Sequence, residues 1–512
     1  MIGRLVLSDR NIFKIKSGNK QFSARKCNIL SESHNEILIK TNKEFNSKDE
    51  YVKIDPISNK ILEKIGNVGN ETDDLLIYYH LYTLNWMSNS AYNKLCDKIN
   101  MDFDLANLRT DYLNKVITID PIGSIDLDDG FTFNFDSEYY YLDIHISDPI
   151  SLFDFTNPVT ISIINELFLR LQTCYINSKL NYVTHLLPTP IVNIVSLLEI
   201  NDESKIKFRR AISFCFKISR KTLEINFNFK FTKLTNIKNY TYENYDNEIN
   251  LQSNFEVKTN LVDLANKLIN ITQIKIDMIN INNNISHKII EIFMILLNLY
   301  GGNYLTNNLL WKKTILRTQD ITLFENDFNI DTVPKYAHKI LSKAANYIII
   351  NNNKLNKHHT LGICNYAHIS SPMRRFVDLI NHLGFYQIDL ELVEPKLKLL
   401  YDMNYINTKI KKYKKISNSY DLLNFIKNNT SNKFKGCLIN WELQNNINKI
   451  KCLFVLYNTQ YDFVKIIQVE LPQTDLTKKK NLIKYMEFDI ELYYNSNNFK
   501  SNNFPFSIKI LN

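Results

Sequence analysis

Thr118-Ile119-Asp120-Pro121-Ile122-Gly123-Ser124-Ile125-Asp126-Leu127-Asp128-Asp129-Gly130 sets four carboxylates within ten positions, between two apolar runs. Upstream KVITI (115–119) and downstream FTFNF (131–135) read as strands, and Pro121 and Gly123 bend the chain between them. A further strand follows in YYYLDIHIS, where Tyr140, Leu142, Ile144 and Ile146 alternate with Tyr141, Asp143, His145 and Ser147. If the carboxylates converge, each like-charged pair ~4 Å apart costs on the order of 4 kcal/mol at an effective dielectric of 20. Several such pairs require protonation or a bound cation. Oxygen-only ligands select a hard divalent ion, Mg²⁺ or Mn²⁺. The spacing from Asp126 to Gly130 misses the EF-hand pattern. From the four Asp alone, a solvated acidic turn and a metal site stand level; the flanking strands favour the metal.

Further along, Tyr366-Ala367-His368-Ile369-Ser370-Ser371-Pro372-Met373-Arg374-Arg375-Phe376-Val377-Asp378-Leu379 reads as a helix start. Ser371 suits the N-cap and Pro372 the first helical position. Phe376, Leu379, Ile380 and Leu383 then make one apolar face. Arginines on a first turn add positive charge to the positive dipole end, and a phosphate bound there resolves the conflict. Asp378 offers a local alternative that offsets one arginine.

The two segments together resemble the ribonuclease II/R (RNB) family. Arg109-Thr110-Asp111, Val116 to Pro121 and Asp126 to Asp129 are similar to its metal motif. Tyr366, Ser371-Pro372, Arg374-Arg375, Asp378 and His382 are similar to its second signature, in the family's order and about 250 residues on. Weaker echoes lie at Leu142 to Asp148, Arg170 to Tyr175, Leu187-Pro188, Thr241-Tyr242-Glu243, Glu291 to Asn298 and His358 to Gly362, so the resemblance covers roughly 105–390. It implies that single-stranded RNA enters a channel and is hydrolysed from its 3′ end to 5′-mononucleotides. Asp120, Asp126 and Asp129 would hold Mg²⁺ (or Mn²⁺), with Asp128 aligning or deprotonating the attacking water while also touching metal. Arg374 would stabilise charge on the scissile phosphate, a bidentate task unsuited to Lys, and Arg375 would support or contact a neighbouring phosphate. Tyr175 and Tyr242 would stack on or pack against bases, and Glu291 would contact the terminal nucleotide.

Departures from the family pattern are Gly130 after the paired Asp, Leu383 after His382, and Ser417-Asn418 where a Glu is usual. A single N-terminal barrel fits before residue 105, and the C-terminal barrel lacks a Gly-rich RNA-binding signature. The rival functions are a catalytically silent RNA-binding scaffold and a nuclease acting on DNA, the latter separated by 2′-hydroxyl contacts.

Outside these motifs the pattern is an α+β chain with a mixed-sheet catalytic core, surrounding helices and an OB-like β-barrel at each end. The expected division is a barrel at 1–70, a helical linker at 71–104, an RNB catalytic domain at 105–400, a Lys-rich helix at 401–430 and a barrel at 431–512. Residues 1–60 read as five short strands, and Leu75, Tyr79, Tyr82 and Trp86 share a helical face. Helices are expected at 159–173, 258–279, 286–300, 334–350 and 372–388, and loops at the Asn-rich 351–353 and 495–503. TKIKKYKKISN (408–418) reads first as a solvated helix face.

With 45% apolar and 22% charged residues the 512-residue chain is globular, not disordered, and too long for one core. Its charge of +9 permits a polyanionic partner without demanding one. Abundant Lys, Asn and Ile match an AT-rich genome, such as that of a virus or intracellular parasite. Seven scattered cysteines form no CxxC pair, which points to free thiols in a reducing compartment. No signal peptide and no apolar run of ~18 to 20 residues is evident. The expectation is a soluble, intracellular, cytoplasmic monomer, with recruitment to a larger RNA-decay complex open.

Overall fold

The computed structural model describes residues 1–17, 20–30, 36–44, 46–176, 182–201, 206–274, 278–281, 284–308, 311, 313–320, 345–350, 356–389, 395–429, 432–444, 449–458, 463–472, 486–494 and 506–511. Six strands open the chain: β1 (Ile2–Leu5), β2 (Phe13–Ser17), β3 (Lys20–Ile29), β4 (Glu36–Lys40), β5 (Glu50–Ile54) and β6 (Ile61–Asn67). They form one sheet in the order β2-β3-β1-β5-β6, with β4 also on β3. Strand β6 lies past the five expected over residues 1–60, and its burial shows no alternation, with only Gly66 buried. Helix α1 (Glu71–Tyr82) starts at Asn70, whose side chain accepts from the Thr72 and Asp73 amides. Leu75, Tyr79 and Tyr82 are buried on it, while Trp86 lies past its end, edge-on to Tyr82 at 5.5 Å. The segment read as helical over 71–104 thus holds two helices, the second being α2 (Asn89–Cys96) capped by Ser88.

The middle of the chain supplies β7 (Thr110–Tyr112), β8 (Val116–Asp120), β9 (Asp129–Phe135), β10 (Tyr139–Ser147), α3 (Pro158–Arg170), the hairpin β11 (Cys174–Ile176) and β12 (Tyr182–Thr184), and α4 (Thr189–Val195). Next come β13 (Arg209–Ser219), β14 (Ile225–Leu234), β15 (Ile237–Thr241), α5 (Tyr242–Ile249), α6 (Phe255–Thr272) and α7 (Ser286–Asn307). Seven of these strands form a mixed sheet in the order β15-β8-β9-β10-β13-β14-β7, antiparallel inside and parallel at both edges. The alternation read in β10 puts Tyr140, Leu142, Ile144 and Ile146 in the core, with Ile212 and Phe214 of β13 and Phe293, Leu296 and Leu297 of α7. Helix α7 is long and apolar enough to cross a membrane by length and composition alone, and 56% of that window is buried against the molecule. It is the core helix on which the sheet packs.

Two short ladders follow, β16 (Ile315–Thr318) with β17 (Asn346–Ile349) and β18 (Lys357–His358) with β19 (Ile363–Cys364), then α8 (Phe376–Tyr386) and α9 (Met403–Asn429). The helix expected over 334–350 is corrected at its end: Asn346–Ile349 is a strand pairing Ile315–Thr318, its β-branched isoleucines favouring the ladder. Its residues 334–344, and the Asn-rich segments 351–353 and 495–503, lie outside the described residues. The chain closes with β20 (Lys433–Gln444), β21 (Lys449–Asn458), β22 (Phe463–Pro472), β23 (Glu487–Tyr494) and β24 (Phe506–Ile510), in the order β22-β21-β20-β23-β24. This sheet curls until its edge strands β22 and β24 come within 8 Å, Cα to Cα. The architecture is therefore α+β, a mixed-sheet core between two smaller β-sheets.

Asp74, buried on α1, joins the two ends: the hydroxyls of Tyr51 (β5) and Tyr494 (β23) donate to its two oxygens at 2.9 and 2.8 Å.

Candidate active site

Sheet register assembles the carboxylates. Asp120 ends β8 and Asp129 begins β9, so the bend between them turns back on itself at the end of two neighbouring strands inside the sheet. Gly123 takes φ +80°, a conformation that only glycine adopts without strain. The bend is tied down from outside, Leu127 N–H donating to Ser196 Oγ at 3.0 Å and Ser147 N–H to the Asp128 carbonyl at 2.8 Å. Parallel pairing of β15 with β8 sets Thr241 beside Asp120, and α5 starts at once with Tyr242.

The second motif reaches the first through Asp128. Its Oδ1 accepts from the Met373 amide at 2.8 Å, and its Oδ2 accepts from Arg374 Nε at 2.7 Å, a contact spanning 246 positions. Asp128 is fully buried whereas Arg374 is 40% exposed, so the guanidinium keeps an open face. Residues 371–375 are not the first turn of a helix, and the expected capping by Ser371 and Pro372 is corrected. Helix α8 begins at Phe376 with Arg375 at its N-cap in an extended conformation. Of the two amides that a Ser371 cap would take, Met373 N–H goes to Asp128 and Arg374 N–H to the Ser371 carbonyl at 3.1 Å, while the N–H of Ser371 itself goes to Asp378 Oδ2 at 2.8 Å. Extended pairing holds the strand-like exit, with Thr173 N–H on the Arg374 carbonyl and Phe376 N–H on the Leu171 carbonyl. Asp378 also takes Arg375 Nη2 at 2.8 Å, so each arginine has its own carboxylate and Arg375 is turned inward.

The pairing with 171–173 delivers Tyr175. Its hydroxyl donates to Asp126 Oδ2 at 2.9 Å, and its side chain is 42% exposed. His185 Nδ1 stands 3.8 Å from the same oxygen. Tyr242 has one ring face covered by His287, stacked at 3.7 Å and 6°. Glu291, one turn along α7 from His287, is paired with Lys288 at 2.9 Å rather than with the cluster. His287 and His185 had no sequence signal, since each is a lone histidine outside both motifs.

Electrostatics divide the quartet. Burial, then the charge of Asp129, pushes the Asp120 carboxyl up to about 8. Burial lifts Asp128 to about 7 despite Arg374, and lifts Asp129 to about 6. Burial would raise Asp126 too, but the contacts of His185 and Tyr175 and the charge of Arg374 hold it below the usual range. Among the described residues no three His, Cys, Asp or Glu side chains already stand close enough to share one ion. The donor chemistry still fits a hard cation: Asp120 Oδ2 is buried without a hydrogen-bond partner, and ionising these carboxylates together needs a counter-charge. Asp120, Asp126 and Asp129 would hold it, and Asp128, whose oxygens accept from Met373 and Arg374, stands beside them.

The mixed sheet thus sets the four carboxylates beside an arginine with one open face. The residues 103–388 match the RNB domain, and the chain belongs to the RNB family. The fold is that of apo Mycoplasma genitalium RNase R, at 15% identity and a TM-score of 0.66, covering 100% of this chain and 89% of that one. It is similar to an active-site mutant of the Dss1 exoribonuclease from Candida glabrata, at 17% identity and a TM-score of 0.57, covering 86% of this chain and 59% of that one. It is also similar to yeast Ssd1, a pseudonuclease, at 15% identity and a TM-score of 0.59, covering 96% and 67%. No curated protein matches the sequence.

Proposed function

We propose that this chain is a 3′-to-5′ exoribonuclease that hydrolyses single-stranded RNA to 5′-mononucleotides with the help of Mg²⁺, Mn²⁺ serving as a substitute. The observation that carries the reading is the direct ion pair between Asp128 and Arg374, which joins the acidic motif to the arginine turn. Bound Mg²⁺ would supply Lewis-acid polarisation of the phosphodiester and of the attacking water. The chain's residues supply the rest. Arg374, charged and open on one face, meets the non-bridging oxygens of the scissile phosphate. Asp128, with a carboxyl lifted to about 7, takes the proton of the attacking water. Tyr175 keeps Asp126 oriented and offers its exposed ring to a base; Tyr242 offers the face that His287 leaves open. Seven free cysteines support an intracellular, reducing location.

The test is digestion of a 5′-labelled single-stranded RNA oligomer with Mg²⁺, beside EDTA, an Asp128→Asn variant and a DNA oligomer of the same sequence. The expected result is a ladder shrinking from the 3′ end, with the variant slowed at least about 100-fold, the contribution of a general base. A second reading, a catalytically silent RNA-binding scaffold, draws on the pseudonuclease Ssd1 having this fold. Intact RNA in every lane with binding retained overturns the hydrolase in its favour.

A further inference from the structure

Helix α9 lies beyond the stretch matched to the family, yet one of its side chains reaches the site. The Tyr413 hydroxyl accepts from the Tyr175 amide at 2.7 Å and donates to the Tyr175 carbonyl at 2.9 Å, across 238 positions. A single hydroxyl thus closes both backbone valences of one residue. Strand β11 is three residues long and among the described residues pairs with β12 alone. Such a two-stranded ribbon holds its own geometry poorly in water. The next link is the Tyr175 hydroxyl on Asp126. Tyr413 is itself braced, its ring 5.9 Å from that of Tyr82 on α1. Lys409, one turn earlier, lies over Tyr82 and Trp86 at 5.0 and 5.6 Å and donates to the Tyr405 hydroxyl at 3.1 Å.

We propose that Tyr413 is a positioning residue, which fixes the backbone of Tyr175 so that the Tyr175 hydroxyl holds Asp126 in the orientation hydrolysis requires. This rests on the hydrolytic function proposed above. Both hydrogen bonds to Tyr413 lie at the solvent edge, where water can replace them with little loss of stability. What water cannot replace is direction. The contribution of Tyr413 therefore falls on turnover, not on folding.

The test is Tyr413→Phe, which keeps the ring packed on Tyr82 and removes the hydroxyl alone. With the RNA oligomer, kcat is expected to fall about tenfold, the scale of a modest misplacement, with KM within about twofold. The Tyr175→Phe, Tyr413→Phe double variant should be no slower than Tyr175→Phe, since the two act in one chain. Amide hydrogen exchange in residues 174–176 should quicken in Tyr413→Phe, while β10 stays protected. Unchanged exchange, unchanged kcat, or losses that multiply in the double variant overturn the proposal. If the wild type leaves RNA intact, the proposed function fails separately, and exchange at 174–176 alone decides whether Tyr413 holds Tyr175.

Discussion

At the residue scale the four aspartates are not equivalent, and pH exposes the difference. Asp120, lifted by burial and by Asp129 to about 8, has an ordinary value of 3.8. Between those values the folded chain binds a proton that the unfolded chain has released. In the absence of a divalent ion, stability is therefore greatest at mildly acidic pH and falls as pH rises toward about 8. Asp128 at about 7 and Asp129 at about 6 act in the same direction. A cation demands the ionised form, so its binding opposes that loss and releases protons. Mg²⁺ should raise the melting temperature more near pH 8 than near pH 6, and EDTA should erase the difference. Equal shifts at both pH values, or none, would show that the cluster takes no ion. The quartet was legible in sequence because it is local, four like charges in one bend. The partners that divide it were not. Arg374 and Tyr175 were visible as motif members, but their docking on Asp128 and Asp126 is made by tertiary pairing between residues 171–173 and 374–376.

At the element scale, α7 fixes the height of the arginine turn. Gly302 lets the chain cross that helix closely: a Cβ there would fall 2.1 Å from the Asn365 carbonyl oxygen and 2.9 Å from the Ala367 amide. Asn298, one turn earlier, then ties the crossing segment, accepting from Ile369 N–H at 2.9 Å and donating to the Tyr366 hydroxyl at 3.2 Å. The segment so held runs straight into Ser371 and Arg374. Gly302→Ala must push backbone against backbone, and should cost about 2–3 kcal/mol, seen as a lower melting temperature. A variant as stable as the wild type would mean that the crossing is looser than this geometry. The same region shows why the helix start was misread. Ser-Pro before an apolar face carries real capping chemistry. Asp128 takes the Met373 amide that the cap would have held, Asp378 fixes Ser371 by its own N–H, and the pairing with 171–173 draws Arg375 out straight. Helix periodicity, by contrast, located α3 within about three residues and the starts of α6 and α7 as closely, because each buries a continuous apolar stripe, while the C-terminal ends of α6 and α7 fall seven residues from those expected.

At the scale of the whole molecule, Asp74 couples the two ends of the chain across 420 positions. It is 1% exposed, and its oxygens serve Tyr51 from the first sheet, Tyr494 from the last and the Gly69 amide at the start of α1. No sequence pattern announces such a hub, since Asp74 reads as one more acid in a helix's first turn. Helix α9 runs beside α1 and reinforces the same junction, Lys427 donating to Thr72 Oγ1 at 3.0 Å. The two β-sheets are therefore braced against one scaffold, the one that also carries Tyr82 beneath Tyr413. Each hydroxyl-to-carboxylate bond is worth about 1.5–3 kcal/mol, because its acceptor is charged. Tyr494→Phe should loosen the C-terminal sheet by an amount in that range, and Asp74→Ala should loosen both sheets by more than either tyrosine variant. Limited proteolysis reads this directly: Asp74→Ala should free fragments ending near residue 70 and beginning near residue 430 faster than Tyr51→Phe or Tyr494→Phe. Cleavage rates unchanged from wild type would show that the sheets are held by their apolar contacts with α1 and α9, and that the buried aspartate contributes register without strength.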